Sequence, residues 1–451
     1  VGLTPRHIGM DTPYISDWID RPDNALLHVE PVLPAVTSTA QATYLTGLRP
    51  TDHGIVANGW YDRDYDEHVF WKQSNHLVKG RKIWEHLREM DPGFTCAKLF
   101  WWNNMFSSAD YAITPRPIYC ADGKKVFDVA TYPLDMRKKV KRKLGKFPFH
   151  TFWGPGSAID SSQWIARSAK WIDEQYEPNL NLVYLPHLDY NLQRIGPNDP
   201  YISQDLGQID AIVGDMIRFY EGRGVQVVLL SEYGITEVDN AIHLNRRFRE
   251  RGWLAIKDEL GTDVLDLGHS RAFAIADHQV AHIYVNDRSI LNEVRELVLE
   301  TPGVAEVIDG SMRRYKGLEN ERSGDLIAVA NLRSWFTYYY WEKDKRAPDF
   351  ARCVDIHRKQ GYDPCELFID PKIKFPKLKI GGKLFKKALG GRIKMDVIPL
   401  DPSLVKGSHG CVPELDENRP VLIGNFPGAR GGQRIEATDV YSHLHAVCAR
   451  P

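Results

Sequence analysis

Short apolar runs flank a long helical pattern near the middle of the chain. Residues 180–185 (Leu-Asn-Leu-Val-Tyr-Leu) and 225–230 (Val-Gln-Val-Val-Leu-Leu) have the composition of strands buried in a sheet. Each run ends in polar residues, Asp189 and Glu232 among them. Between them, 202–222 places Leu206, Ile209, Ile212, Val213, Met216 and Ile217 on one helical face. This order predicts a strand–helix–strand unit within a parallel sheet. Ligands of such sheets gather beyond the carboxyl ends of the strands. The polar residues after the two runs are therefore the first candidates for chemistry.

Two stretches interrupt the pattern. Residues 137–146 (Arg-Lys-Lys-Val-Lys-Arg-Lys-Leu-Gly-Lys) point to a cap or insertion over 135–178. A second insertion is expected over 312–400. It holds the aromatic run from Trp335 to Trp341 and then a basic segment, 372–392, with no acidic residue. Pro376 and Gly381-Gly382 would interrupt a continuous helix there. The basic segment therefore reads first as a strand or loop whose lysine stems lie along apolar surface. Its second reading, for residues 372–389, is peripheral contact with an anionic lipid surface.

Composition narrows the class without naming it. The 451 residues suffice for one large α/β domain with insertions. A net charge of −1 gives no electrostatic case for a nucleic-acid polymer as partner. No apolar run reaches the ~20 residues that span a bilayer. The six cysteines (Cys96, Cys120, Cys353, Cys365, Cys411 and Cys448) show no CxxC spacing. A thiolate zinc site is thus disfavoured. Free thiols in a reducing compartment are the simplest reading, so a cytoplasmic location is expected. The first residue is Val1 rather than Met, which leaves a periplasmic or exported location and a removed signal peptide open.

The strongest motif lies at 34–59, from Pro34-Ala-Val-Thr37 through Thr46-Gly47-Leu-Arg-Pro50-Thr-Asp-His53-Gly54-Ile to Asn58. A Thr at a helix start sits among unpaired N–H groups at the positive end of the helix dipole, which suits a phosphate. Its hydroxyl needs activation before it can act as a nucleophile. Taken alone, a Thr there is also an ordinary helix cap. The whole segment resembles the nucleophile region of the nucleotide pyrophosphatase/phosphodiesterase branch of the alkaline phosphatase superfamily. So do Tyr184–Pro197, Ser231-Glu232-Tyr233-Gly234, Lys406-Gly-Ser-His409-Gly410 and Pro420-Val-Leu-Ile-Gly424. The resemblance implies a single domain over 1–451 with an alkaline-phosphatase-like three-layer α/β sandwich. Its central sheet would be mostly parallel, with helices on both faces and small cap insertions. It also implies Thr37 as nucleophile and Asn58 as the residue that hydrogen-bonds the phosphoryl group.

The same resemblance implies two divalent metals, zinc by family habit. Asp189 and His409 match ligands of one site, and Thr37 the other, with Glu232 standing where the family has Asp. Three ligands depart from the pattern: Gln193 and Tyr233 replace histidines, and Val1 falls where an N-terminal Asp is expected. Three readings stay open. His187, His278, His282, Asp355 or His357 could supply missing ligands, with His278 and His357 the leading candidates. In strands, His187/Asp189, His278/His282 and Asp355/His357 would each share a face. Alternatively, an oxygen-rich set around Asp189, Glu232 and Gln193 would suit Mg²⁺, Mn²⁺ or Ca²⁺. In the third reading the chain keeps a phosphate-shaped pocket as a binding or scaffolding protein.

The leading expectation is a metal-dependent hydrolase of a phosphodiester, pyrophosphate or related ester on a small phosphorylated substrate. Trp102 and Tyr119 could stack on the group beyond phosphorus, and Arg116, with Lys124, could meet its charge. Sulfatase chemistry is disfavoured, because Thr37-Ser38-Thr39-Ala40-Gln41 lacks that branch's C/S-x-P-x-R pattern.

Overall fold

The computed structural model describes residues 1–449. β1 (Ala25–Glu30) leads through a Pro34-containing turn into α1 (Thr37–Thr46). Next come β2 (Cys96–Leu99), β3 (Tyr111–Pro115), β4 (Val129–Tyr132), α2 (Met136–Leu144), α3 (Ile159–Tyr176) and β5 (Leu180–Val183). α4 (His187–Arg194), α5 (Ile202–Glu221) and β6 (Leu229–Leu230) follow. The second half contributes β7 (Ala272–Asp277), β8 (Val280–Val285), β9 (Val304–Ile308), β10 (Leu326–Ala330) and α6 (Pro376–Ala388). β11 (Val421–Gly424), β12 (Arg434–Glu436) and α7 (Asp439–Cys448) close the chain.

Three four-stranded sheets carry most of the strand structure, in the orders β6-β11-β1-β12, β4-β3-β2-β5 and β7-β8-β10-β9. The α/β class is as expected, but the sheets are mixed rather than mostly parallel. Within these three sheets, parallel pairing is confined to β2 with β3 and β5, and to β1 with β12. The β7–β10 sheet is antiparallel throughout. The two residues His278 and Gln279 join β7 to β8, a connection too short for a parallel crossover. The expected unit around α5 forms, but its strands part company. β5 pairs with β2 (Val183 opposite Leu99), whereas β6 pairs with β11 (Leu230 opposite Leu422).

The helices follow their apolar stripes. α5 buries Leu206, Ile209, Val213 and Ile217, while Ile212 and Met216 are half-buried at the margin of the stripe. α3 buries Trp164, Ile165, Ala169 and Ile172 in the same core as Leu99 and Leu182, so it belongs to the packing of the β2–β5 sheet. The basic segment corrects its sequence reading, because it is helical. Pro376 occupies the first turn of α6, where a missing N–H breaks no helical bond. Gly381 and Gly382 remain inside the helix, which Lys379 and Lys383 anchor to Asp396 (3.4 and 2.6 Å). All six cysteines are free.

Candidate active site

α1 is buried along its whole length although seven of its ten side chains, Tyr44 included, carry a polar group. Each of those needs a partner, and most find one. Thr43 Oγ1 meets His53 Nε2 at 3.0 Å, Tyr44 donates to the Ser231 carbonyl (3.0 Å), and Gln41 accepts from Trp102 N–H (2.7 Å). Gly47, at φ 69°, closes the helix with its N–H on the Thr43 carbonyl, a left-handed cap that glycine adopts without strain. This fixed helix holds Thr37 at its first turn, facing an open cavity.

Asn58 braces that turn. Its Oδ1 accepts the Ser38 N–H (3.0 Å), while its own N–H and Nδ2 donate to Asp277 at 2.7 and 3.1 Å. Asp277, at the end of β7, is fully buried, and burial pushes its carboxyl up to about 7. Sequence reading drew on His278 and His282 in this segment and gave Asp277 no role. The available signal was a carboxylate ending an apolar strand.

The opposite wall is built differently. Tyr233 Oη lies 3.3 Å from Thr37 Oγ1 and donates to Asp189 Oδ1 (3.0 Å). With the tyrosine hydrogen committed to Asp189, the Thr37 hydroxyl is the donor to Tyr233. The Tyr233 ring stacks on His409 (3.5 Å, 5°), His409 lies against His278 (3.7 Å, 35°), and His278 stacks on Tyr362 (3.7 Å, 26°). Tyr362 in turn donates to Gln193 Oε1 (2.9 Å). Sequence reading treated Tyr233 only as a lost ligand, yet its hydroxyl joins Thr37 to Asp189.

The electrostatics follow from burial. It raises the Asp189 carboxyl to about 6, against the hydrogen bond from Tyr233, and lifts Glu232 to about 7. Burial lowers His409 to about 3 and holds His278 far below the usual imidazole value. Both rings are thus neutral at physiological pH. His409 donates through Nδ1 to the Ala35 carbonyl (2.8 Å), which leaves Nε2 facing Asp189 Oδ1 at 4.0 Å.

These donors do not fit the two-metal centre that the motifs imply. Asp189 and His409 could share an ion, but a zinc site needs about four good ligands. Gln193 Oε1 is taken by Tyr362, and the Tyr233 hydroxyl fills the space between Thr37 and Asp189. Glu232 accepts from Gln41 (2.5 Å), its Oε2 has no partner among the described residues, and Val1 offers only an apolar side chain nearby. Among the described residues, no three His, Cys, Asp or Glu side chains converge as a metal set.

The proposed substitute ligands are also dispersed. His187 starts α4, not a strand end, so it does not share a face with Asp189 and instead meets Asp205 at 3.4 Å. His282 points to the Val56 carbonyl (3.1 Å), whereas His278 sits in the β7–β8 turn at φ 59°. Asp355 and His357 lie outside regular strands; Asp355 pairs with Arg358 (2.8 Å), and His357 bonds the Phe70 carbonyl (3.1 Å). Of the substitutes, only His278 reaches the cluster, and it does so as a stacked ring.

The cavity over Thr37 measures about 1100 Å³. Asp189, Tyr233, His278 and His409 line its floor, and His357 lines its wall. Trp102, Arg116 and Tyr119 line it too, with Trp102 against Trp71 (4.6 Å). Lys125 rather than Lys124 faces inward, its ammonium 5.5 Å from the Tyr119 ring centre. The cavity thus sets an aromatic and cationic rim above a hydroxyl–hydroxyl–carboxylate chain.

Comparison with known proteins matches the chain to one family. The family model for type I phosphodiesterase / nucleotide pyrophosphatase matches residues 1–363. An uncharacterized pyrophosphatase/phosphodiesterase of Schizosaccharomyces pombe is 25% identical over 232 residues, covering 48% of this chain and 40% of that relative. The chain therefore spans less than half the length of that curated relative. Among solved structures, murine ectonucleotide pyrophosphatase / phosphodiesterase 5 is similar in fold (TM-score 0.57, 15% identity, covering 100% of this chain and 94% of that one). So is phosphonoacetate hydrolase from Sinorhizobium meliloti 1021 (TM-score 0.62, 14% identity, covering 99% and 94%).

Proposed function

Because the chain belongs to the type I phosphodiesterase / nucleotide pyrophosphatase family, we propose that it hydrolyses a phosphodiester or pyrophosphate link with Thr37 as nucleophile. The observation that carries this reading is the hydrogen-bonded chain from Thr37 through Tyr233 to Asp189, open to the cavity. With its carboxyl near 6, Asp189 is mostly ionised at neutral pH and can accept a proton. As Thr37 Oγ1 bonds to phosphorus, its proton passes to the Tyr233 oxygen and the Tyr233 proton passes to Asp189. The bond from phosphorus to the leaving oxygen breaks, and that oxygen is protonated by solvent. Water then attacks the phosphothreonine. The proton returns from Asp189 through Tyr233 to the departing Thr37 oxygen, and the product phosphate releases the proton of water.

Metal dependence is general in this family, and either zinc or a harder ion would supply charge stabilisation and activation where a full ligand set exists. The donor set around Thr37 supports the direct relay instead, and no step above is routed through an ion. Trp102 and Tyr119 are suited to stack on a planar or sugar group, and Arg116 to meet phosphate charge.

Turnover of bis-p-nitrophenyl phosphate by the purified protein tests the reading. Thr37→Ala is expected to lower kcat/KM by at least about 1000-fold, in line with loss of a covalent route. Unchanged turnover in that variant removes the nucleophile assignment. A second reading, a phosphate-ligand binding protein, is favoured by the missing metal donors. Wild-type protein that binds a nucleotide in calorimetry but turns over no diester would establish it.

A further inference from the structure

α6 carries two apolar faces with different surroundings. Ile380, Leu384 and Lys387 recur at helical spacing and form part of the wall of the cavity above Thr37. Leu378, Phe385 and Leu389 fall on another face at 100° per residue, with Gly382 between them and Phe375 just before the helix. These four large side chains are 75%, 67%, 73% and 70% exposed, respectively. Lys377 flanks the stripe on one side and Lys386 on the other. Between 372 and 394 the chain has nine Lys and Arg and no Asp or Glu, in a protein whose net charge is −1.

We propose that this face of α6 docks on an anionic lipid bilayer and brings the cavity mouth to the membrane surface. An exposed apolar stripe bordered by lysines is the arrangement that buries rings and leucines among acyl chains while its ammonium groups meet lipid phosphates. A nucleic-acid backbone would pair the lysines but leave Leu378, Phe385 and Leu389 in water. No helix among the described residues is long and apolar enough to cross a membrane, so the contact is peripheral. Since the other face of the same helix walls the cavity, the substrate class it favours is a phosphodiester carried by a lipid. That last clause rests on the hydrolase reading, whereas the docking does not.

Co-sedimentation of the full chain with vesicles tests the docking. Vesicles of phosphatidylcholine with about a quarter phosphatidylglycerol should bind the protein at low salt, and about 0.5 M NaCl should cut the bound fraction at least about fivefold. Pure phosphatidylcholine should bind weakly. The double variant Phe385→Glu/Leu389→Glu should lower partitioning about tenfold or more, and Lys377→Glu/Lys386→Glu by a similar factor. Melting temperature and turnover of the soluble diester should stay at wild-type values in both. Thr37→Ala should sediment as wild type does, so failure of the hydrolase reading leaves the vesicle result standing. Equal sedimentation of wild type and Phe385→Glu/Leu389→Glu overturns the proposal. Absence of binding to anionic vesicles does the same, as does binding to single-stranded RNA without binding to vesicles.

Discussion

The two sides of the candidate site obey different constraints. On the α1 side, Asn58 and Gln41 are fixed by hydrogen bonds to Ser38, Asp277, Glu232 and Trp102. On the facing side, Tyr233, His409, His278 and Tyr362 are stacked rings, and unpartnered buried atoms remain at Glu232 Oε2, Gln193 Nε2 and His278 Nδ1 among the described residues. The first side holds the helix whose first turn carries Thr37, the proposed nucleophile. The second is built largely of aromatic packing. A helix most of whose polar side chains are paired tolerates few substitutions, since a change at a paired position strands a buried partner. A wall of stacked rings tolerates more, provided volume is kept.

The largest test of this contrast is Thr37→Ala, where a loss of about 1000-fold or more in kcat/KM is expected from removal of the covalent route. Tyr233→Phe comes next and acts on the facing side alone. The phenyl ring keeps the stack on His409 but removes the hydroxyl between Thr37 and Asp189. We expect kcat to fall about 100-fold with KM nearly unchanged, the range for losing a positioned proton acceptor. The acid limb of the wild-type pH–rate profile, set by Asp189 near 6, should vanish with it. A variant that keeps both kcat and that limb would show the relay to be idle.

On the motif side the placement was legible because it is tied to short sequence spacing: Thr37 at a helix start, Asn58 downstream against the same turn. The facing wall was not, because its members come from α4, the 231–235 segment, the β7–β8 turn and the loops around 362 and 409. Sequence spacing says nothing about which of those rings stack. The misreadings share that cause. Pairs two or four apart were read as sharing a strand face, yet His187 begins a helix and His278 lies in a tight turn with positive φ. Predicting a parallel sheet failed at β6 and β11 because strand partners far apart in sequence choose their direction by packing. α6 was misread because two glycines and a proline weigh against a helix locally, whereas the ion pairs to Asp396 hold it.

A smaller effect separates charge from shape at Glu232. Its carboxyl is raised by burial to about 7, so the folded state holds its proton where the unfolded chain has lost it. The contribution of Glu232 to stability is therefore greatest below its unfolded value of ~4.3 and falls as pH rises from there to about 7. Glu232→Gln keeps an oxygen for Gln41 and removes the charge. It should stabilise the protein by about 1–3 kcal/mol at pH 8 and by almost nothing at pH 4.5, read from denaturant melts. Equal stability of the two proteins at pH 8 would mean that a cation already neutralises Glu232.

That outcome leads to the smallest expected effect, which bears most directly on the difference between the two sides. Titration with Zn²⁺, Mn²⁺ or Mg²⁺, or removal of ions with EDTA, should leave turnover within about twofold and melting temperature within about 1 °C, since a ligand that binds only weakly adds little stability by mass action. The reason is the donor inventory: Asp189 and His409 Nε2, 4.0 Å apart, make two contacts where zinc wants about four. Restoring donors should reverse the result. Gln193→His with Tyr233→His returns two imidazoles to the wall that carries Asp189 and Glu232. It should give zinc a measurable melting shift that the wild type lacks. Should EDTA abolish wild-type turnover and a divalent ion restore it, the facing wall is a working metal site after all. Tyr233 would then be a ligand or a gate, and the relay through its hydroxyl would have no part in activating Thr37.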